Sequence, residues 1–165
     1  MPDERLIMGV DAALAATGIG LVKVYGDDFE VVDTDLVRTS NRLKLPARLE
    51  KIYDSICEKI EKYKPGILAL EDIFYSKNLK VALSLGQARG VIILASSKYK
   101  VKLEEYSARE IKQAVTGNGG ASKEQVAFMV KSLLNIKTQF ETFDISDSLA
   151  AALCAGYKLD SVVER

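Results

Sequence analysis

Leu6-Ile7-Met8-Gly9-Val10-Asp11 is a compact apolar run that ends on an acid, the pattern of a strand buried on both faces. Two β-rich runs follow, Thr17 to Tyr25 and Phe29 to Val37. Between them Gly26-Asp27-Asp28 is a polar, glycine-containing tripeptide of hairpin length. The chain therefore opens as a three-stranded antiparallel meander. The period then changes. Leu45, Leu49, Ile52, Ile56, Ile60 and Tyr63 recur every three or four residues, the apolar stripe of a long helix that Lys64-Pro65-Gly66 stops. Ile67-Leu68-Ala69-Leu70 is a second buried strand, and it too runs into an acid, Glu71.

Beyond Glu71, residues 78–98 mix small and apolar side chains at helical spacing, with Gly86 and Gly90 inside. Mid-helix glycines cost roughly 1 kcal/mol each, so they point to close packing against a helix or a partner chain. Val101 to Tyr106 is a fifth strand, and Ser107 is placed to cap a short helix through Ala114. Gly117-Asn118-Gly119-Gly120 is expected to be a mobile loop, and Ser122 with Gln125 forms the capping box of a helix over 123–134. A last helix is expected from Asp144 to Tyr157. The order β-β-β-α-β-α-β-α-α-α describes an α/β chain, a mixed five-stranded sheet with helices on both faces. With no long polar linker, residues 1–165 are expected to form a single domain.

Composition narrows the chemistry. A 48% apolar fraction in 165 residues excludes disorder and supports one ordinary core. The longest apolar runs fall far short of the ~20 residues of a membrane span, so no membrane partner is expected. Met-Pro-Asp-Glu-Arg shows no signal-peptide pattern, and the expected location is cytoplasmic. No histidine and only Cys57 and Cys154 exclude the usual zinc sites and any Ser-His or Cys-His nucleophile. Lysine plus arginine equals aspartate plus glutamate at 23 each, but the charge is segregated. Residues 1–76 carry a net −4, residues 77–137 a net +7, and residues 138–165 a net −3. A basic middle between acidic flanks is either a phosphate-facing surface beside carboxylates or ordinary solvated decoration.

The acids carry the chemical signal. Asp11 and Glu71 end strands that should be adjacent and parallel, which sets both carboxylates at one sheet edge. Asp144 and Asp147, three apart, project from one face of the last helix. Taken singly, Asp11 also reads as a turn residue and Asp144 as a helix cap. Together, four converging acids repel one another unless hard cations sit between them, and oxygen ligands suit Mg²⁺ or Mn²⁺. Two such ions clamp a phosphodiester for in-line attack, one activating water and the other stabilising the leaving 3′ oxygen.

These segments resemble the RuvC family of bacterial Holliday junction resolvases, within the ribonuclease H-like superfamily. Met8-Gly9-Val10-Asp11 with Thr17-Gly18-Ile19-Gly20 is similar to the family's first hairpin. Ala69-Leu70-Glu71-Asp72-Ile73-Phe74, with Lys77-Asn78, is similar to its fourth strand and following loop. Leu85-Gly86-Gln87-Ala88-Arg89-Gly90-Val91 is its most recognisable helix segment. Tyr106 to Gln113, Lys123 to Val126, and Asp144-Ile145-Ser146-Asp147-Ser148-Leu149-Ala150 complete the match in order.

The resemblance implies a homodimeric, Mg²⁺-dependent endonuclease with two ions per site, Mn²⁺ substituting. It would nick opposing strands of a four-way DNA junction symmetrically, selecting structure first and sequence second, beside a branch-migration motor (RuvA, RuvB). Asp11, Glu71, Asp144 and Asp147 map onto its metal-binding catalytic acids. Lys112 and Lys123 map onto DNA-contacting lysines, Phe74 onto an aromatic that stacks at the junction centre, and Arg89 is expected to join the DNA contacts. The 78–95 helix would be the dimer interface.

Two departures stand out. Asp11-Ala12-Ala13 replaces the family's Asp-Pro-Gly, and Asp72 stands where glutamine is common, on the opposite strand face from Glu71. Rival readings are an actin-like ATPase, which lacks its second phosphate loop here, a ribonuclease H-like enzyme with another substrate, and a junction-binding module with disabled catalysis.

Overall fold

The computed structural model describes residues 5–72 and 76–163. Its five strands are β1 (Arg5–Asp11), β2 (Ala16–Tyr25), β3 (Asp28–Arg38), β4 (Ile67–Glu71) and β5 (Lys102–Tyr106). Its helices are α1 (Leu45–Tyr63), α2 (Leu79–Lys98), α3 (Ala108–Thr116), α4 (Lys123–Leu133) and α5 (Phe143–Val163). The sheet order is β3-β2-β1-β4-β5, antiparallel through the meander and parallel for β1-β4 and β4-β5. The mixed five-stranded sheet read from the sequence is therefore the one that forms, with β1 and β4 adjacent and parallel.

Local signals explain most boundaries. Pro46 sits in the first turn of α1, where a missing N–H costs nothing, and Lys64 ends the helix in the left-handed region at φ 51°. Ser107 and Ser122 each head a full capping box, with Glu110 and Gln125. Gly26, at φ 54°, makes a two-residue turn with Asp27, one residue tighter than the sequence suggested. The 117–120 loop is a correction. The Gln113 side chain bonds both the Gly117 carbonyl (3.0 Å) and the Gly119 N–H (3.1 Å), and Asn118 Oδ1 accepts from Gly120 N–H. That loop is pinned rather than mobile. The last helix also outruns its expected end at Tyr157, because Leu159 still packs on the core.

Each sheet face has its own core. Met8, Val10, Ile19, Leu21, Leu68 and Leu70 meet Ile52, Ile56, Ile60, Ala88 and Ile92 of α1 and α2. Ile7, Val22, Val24 and Ala69 meet α3, α4 and the small residues Ala150, Ala151, Ala152 and Ala155 of α5. The period of two then puts residues 7, 9 and 11 of β1 and 67, 69 and 71 of β4 on the α5 face. Cys57 and Cys154 are buried, unpaired, and in different cores.

Among the described residues, α2 is long and apolar enough by composition to cross a membrane. Apolar residues on both its faces produce that composition. One face buries Ala88, Ile92 and Ala95 against the sheet and α1, and the opposite one exposes Leu79, Leu83 and Leu94.

Candidate active site

The site begins with three glycines. A Cβ on Gly9 would lie 1.8 Å from the Ser148 carbonyl oxygen, and one on Gly18 would lie 2.0 Å from that of Asp144. A Cβ on Gly20 would press on Leu149 at 2.6 Å. Bare backbone on β1 and β2 thus lets the first half of α5 lie directly on the sheet. That contact brings Asp144 and Asp147 down to the end of β1, where Asp11 stands. The glycines were quoted in the sequence as part of a matched hairpin; their role as the seat of α5 needed the packing.

The result is a cleft of about 290 Å³ lined by Asp11, Glu71, Lys112, Lys123 and Asp147, floored by Ala108, Ile111, Val126 and Ala150. Asp144 lies at its edge, within hydrogen-bonding reach of Asp11. All four expected acids are therefore brought together, Asp11 and Glu71 from parallel strands and Asp144 and Asp147 from one helix. Lys123, the first residue of α4, places Nζ 3.2 Å from Asp147 Oδ2 and 5.9 Å from the Phe143 ring centroid. Lys112 enters from α3. The +7 segment supplies both lysines.

Electrostatics separate the acids. The Asp11 carboxyl is pushed up to about 8, first by burial, then by Asp147, by the hydrogen bond to Asp144 and by the charges of Asp144 and Glu71. Burial also raises Glu71, with Asp147 adding and Lys123, Lys112 and Arg89 opposing. Asp147 is raised by burial against the pull of Lys123. Lys123 is itself held above its ordinary value; burial opposes this, but Asp147, Asp11 and Asp144 prevail.

A hard divalent cation fits such a set. The donors are all carboxylate oxygens, and the negative charge around Asp11 exceeds what two lysines offset. Among the described residues no three acids close into a cage of metal ligands. An open arrangement of that kind suits Mg²⁺, which keeps waters and shares its shell with substrate phosphate oxygens.

The remaining expectations divide. The loop after Asp11 is ordered without Pro-Gly: Thr17 Oγ1 donates to the Ala13 carbonyl at 2.6 Å, and Thr39 N–H donates to Ala15 at 3.0 Å. Asp72 sits off the acid face, as the strand period requires, with Oδ1 4.0 Å from Arg89 Nη2. Phe74 lies outside the described residues. Arg89 corrects the sequence reading. It is 4% exposed, and its guanidinium is engaged by the Glu71 backbone carbonyl and the Glu105 carboxylate, so it faces the protein interior rather than a DNA strand.

Fold and site together define a ribonuclease H-like protein with four clustered carboxylates beside two lysines at one sheet edge. Residues 7–155 match the family model of the crossover junction endodeoxyribonuclease RuvC, and the chain belongs to that family. A crossover junction endodeoxyribonuclease RuvC of Chloroherpeton thalassium is 43% identical over 157 residues, spanning 95% of this chain and 84% of the relative. Thermus thermophilus RuvC, solved in complex with a Holliday junction substrate, superposes with a TM-score of 0.91 at 27% identity over 96% of both chains. The yeast mitochondrial Holliday junction resolvase Ydc2 shares the fold, at TM-score 0.65 and 13% identity.

Proposed function

We propose that this chain is a metal-dependent endonuclease that resolves four-way DNA junctions by paired symmetric nicks in recombination and repair. The observation that carries the reading is the convergence of Asp11, Glu71, Asp144 and Asp147 on one cleft flanked by Lys112 and Lys123, in a member of the RuvC family.

Asp11, Glu71, Asp144 and Asp147 would hold two Mg²⁺ ions, or Mn²⁺ in their place. Those ions would supply Lewis-acid polarisation of the scissile phosphate and an activated water. The chain's own groups do the rest. The Asp11 carboxyl, pushed up to about 8 by burial and its acidic neighbours, would be held ionised by the cations it ligates. Lys123 exchanges its contact with Asp147 for a non-bridging phosphate oxygen, and Lys112 contacts the same backbone from α3. Water adds to phosphorus and the P–O3′ bond breaks, leaving a 5′-phosphate and a 3′-hydroxyl that ligase can seal. The apolar floor of Ile111, Val126 and Ala150 limits bulk water around the reacting group.

The protein acts as a homodimer built on α2. Leu79, Leu83 and Leu94 are 72, 57 and 58% exposed, and Gly86 and Gly90 lie on the same helical face with no atom within 4 Å of an added Cβ. Two costly glycines facing open space have no use within one chain, whereas they let a second helix approach closely. Two such sites on a dyad give the paired nicks. Phe74 stacks at the junction centre, residues 1–165 act as one nuclease domain, and a branch-migration motor positions the dimer on cytoplasmic DNA.

The test is a labelled synthetic four-way junction beside a linear duplex of the same sequences, each in Mg²⁺, in EDTA, and with Asp144→Asn. Paired nicks on the junction alone are expected, falling about a thousandfold or more in both controls. Equal cutting of the duplex would demote the protein to a general nuclease, and binding without cleavage to a junction-binding module.

A further inference from the structure

Arg89 is a buried charge with no role in the reaction as described. Its guanidinium spans three elements: it starts on α2, donates through Nη1 to the backbone carbonyl of Glu71 at the end of β4, and donates through Nη2 to Glu105 of β5. Asp72, the residue after Glu71, contributes a carboxylate 4.0 Å away. The Asp72 N–H is in turn held by the Tyr106 carbonyl at 2.7 Å. The last residues of β4 are thus gripped from both sides at the point where Glu71 turns its carboxylate into the cleft.

A buried arginine costs several kcal/mol to desolvate, and replacing such a pair with apolar residues is often neutral or stabilising. Stability alone is therefore a weak reason for this placement. Geometry is a stronger one. The planar fork holds its two acceptors in fixed directions, whereas a lysine ammonium swivels among its partners on a flexible stem.

We propose that Arg89 is a positioning residue: by clamping the Glu71 carbonyl to Glu105 it fixes the direction in which the Glu71 side chain enters the acid cluster. This rests on the functional reading above, and it adds a consequence. Because α2 also carries the exposed leucine-glycine face, Arg89 ties that face to a catalytic carboxylate. A shift of α2 would reach the Glu71 backbone directly through the Arg89 side chain, beside the packing of Ala88 and Ile92 in the same core as Leu68 and Leu70 of β4.

The test compares the parent protein with Arg89→Lys and Glu105→Gln, each as the full chain. Three readouts are taken: the rise in Tm caused by Mg²⁺, junction binding in EDTA, and the Mg²⁺ dependence of junction cleavage. Arg89→Lys is expected to bind junction as the parent does, to show a smaller Mg²⁺-induced rise in Tm, and to cleave about tenfold more slowly with a higher Mg²⁺ midpoint. Glu105→Gln moves the same readouts in the same direction by less. Parental midpoints in both variants overturn the clamp. Loss of junction binding in step with cleavage overturns it in favour of a direct DNA contact. If Arg89→Lys fails to fold, Glu105→Gln decides alone. A parent that gains Tm with Mg²⁺ but leaves junctions intact sinks the functional reading, and the Tm comparison still judges the clamp. A parent with no Mg²⁺ response overturns both.

Discussion

Two groups of aspartates sit on opposite faces of the same sheet and have opposite fates. On the α1 face, Asp33 accepts from Lys59 Nζ at 2.6 Å, from Tyr63 Oη at 2.9 Å and from the Thr34 N–H, while Asp35 lies 3.4 Å from the same lysine. Burial works against its charge, but Lys59, Tyr63 and the backbone donor outweigh it and hold the Asp33 carboxyl below its ordinary value. That group is a strut joining β3 to α1. On the α5 face, Asp11 has carboxylates for neighbours and is driven up to about 8. A compensated acid holds the fold together. An uncompensated one is a cost that marks a candidate functional site.

Breaking the seat of the second group should do the most damage. Gly18→Ala would place a methyl 2.0 Å from the Asp144 carbonyl oxygen, forcing α5 off β2. A loss of about 1–3 kcal/mol in urea unfolding is expected together with at least about tenfold slower junction cleavage. Destabilisation with full activity would show that the acids tolerate a displaced helix.

Asp11→Asn should act in the other direction. A carboxyl raised from 3.8 to about 8 keeps its proton in the folded state while the unfolded chain has lost it. The Asp11 contribution to the stability of the metal-free protein therefore falls as pH rises from about 4 to about 8 and levels off above. The amide removes that slope. Its Tm at pH 8 in EDTA should exceed the parent's by about 5 °C, and cleavage should be lost. Parallel Tm-against-pH curves for the two proteins would refute the uncompensated cluster.

The strut should respond in mirror image. Asp33 contributes stability that is present at neutral pH and lost as pH falls through its lowered range. Asp33→Asn should cost about 1 kcal/mol at pH 7, less at pH 3, with cleavage unchanged. A cleavage defect would merge two regions that the contrast keeps apart. The smallest effect belongs to the basic rim. Lys112→Gln should lower the slope of log binding constant against log salt by about 1, and an unchanged slope would remove Lys112 from the phosphate contacts.

Much of this was legible in the sequence. The apolar stripe from Leu45 to Tyr63 and the stop at Lys64-Pro65-Gly66 mark the span of helix α1 in the sequence. Asp11 and Glu71 were legible because an acid abutting an apolar run is a rare local pattern. Arg89 was misread, since nothing in its neighbours says which face of an apolar helix it joins. The Asp33 strut was not legible either. Strict alternation would send residues 29, 31, 33, 35 and 37 of β3 to one face. Instead the register shifts opposite Leu21 and Val22, with Val31 and Asp33 paired across it, so Phe29 and Val31 face α5 while Asp33 and Val37 face α1.

The sequence by itself determined the element order, the parallel pairing of the two acid-ended strands, the capping of α3 and α4, and the segregation of positive charge into one segment. These follow from period, caps and composition, which act over a few residues. Only the tertiary structure decided which acids are paid in hydrogen bonds and which are left opposed, which arginine points inward, and how near α5 lies to the sheet. Those depend on desolvation and on contacts between residues more than a hundred positions apart, such as Gly18 and Asp144, and no local pattern encodes them.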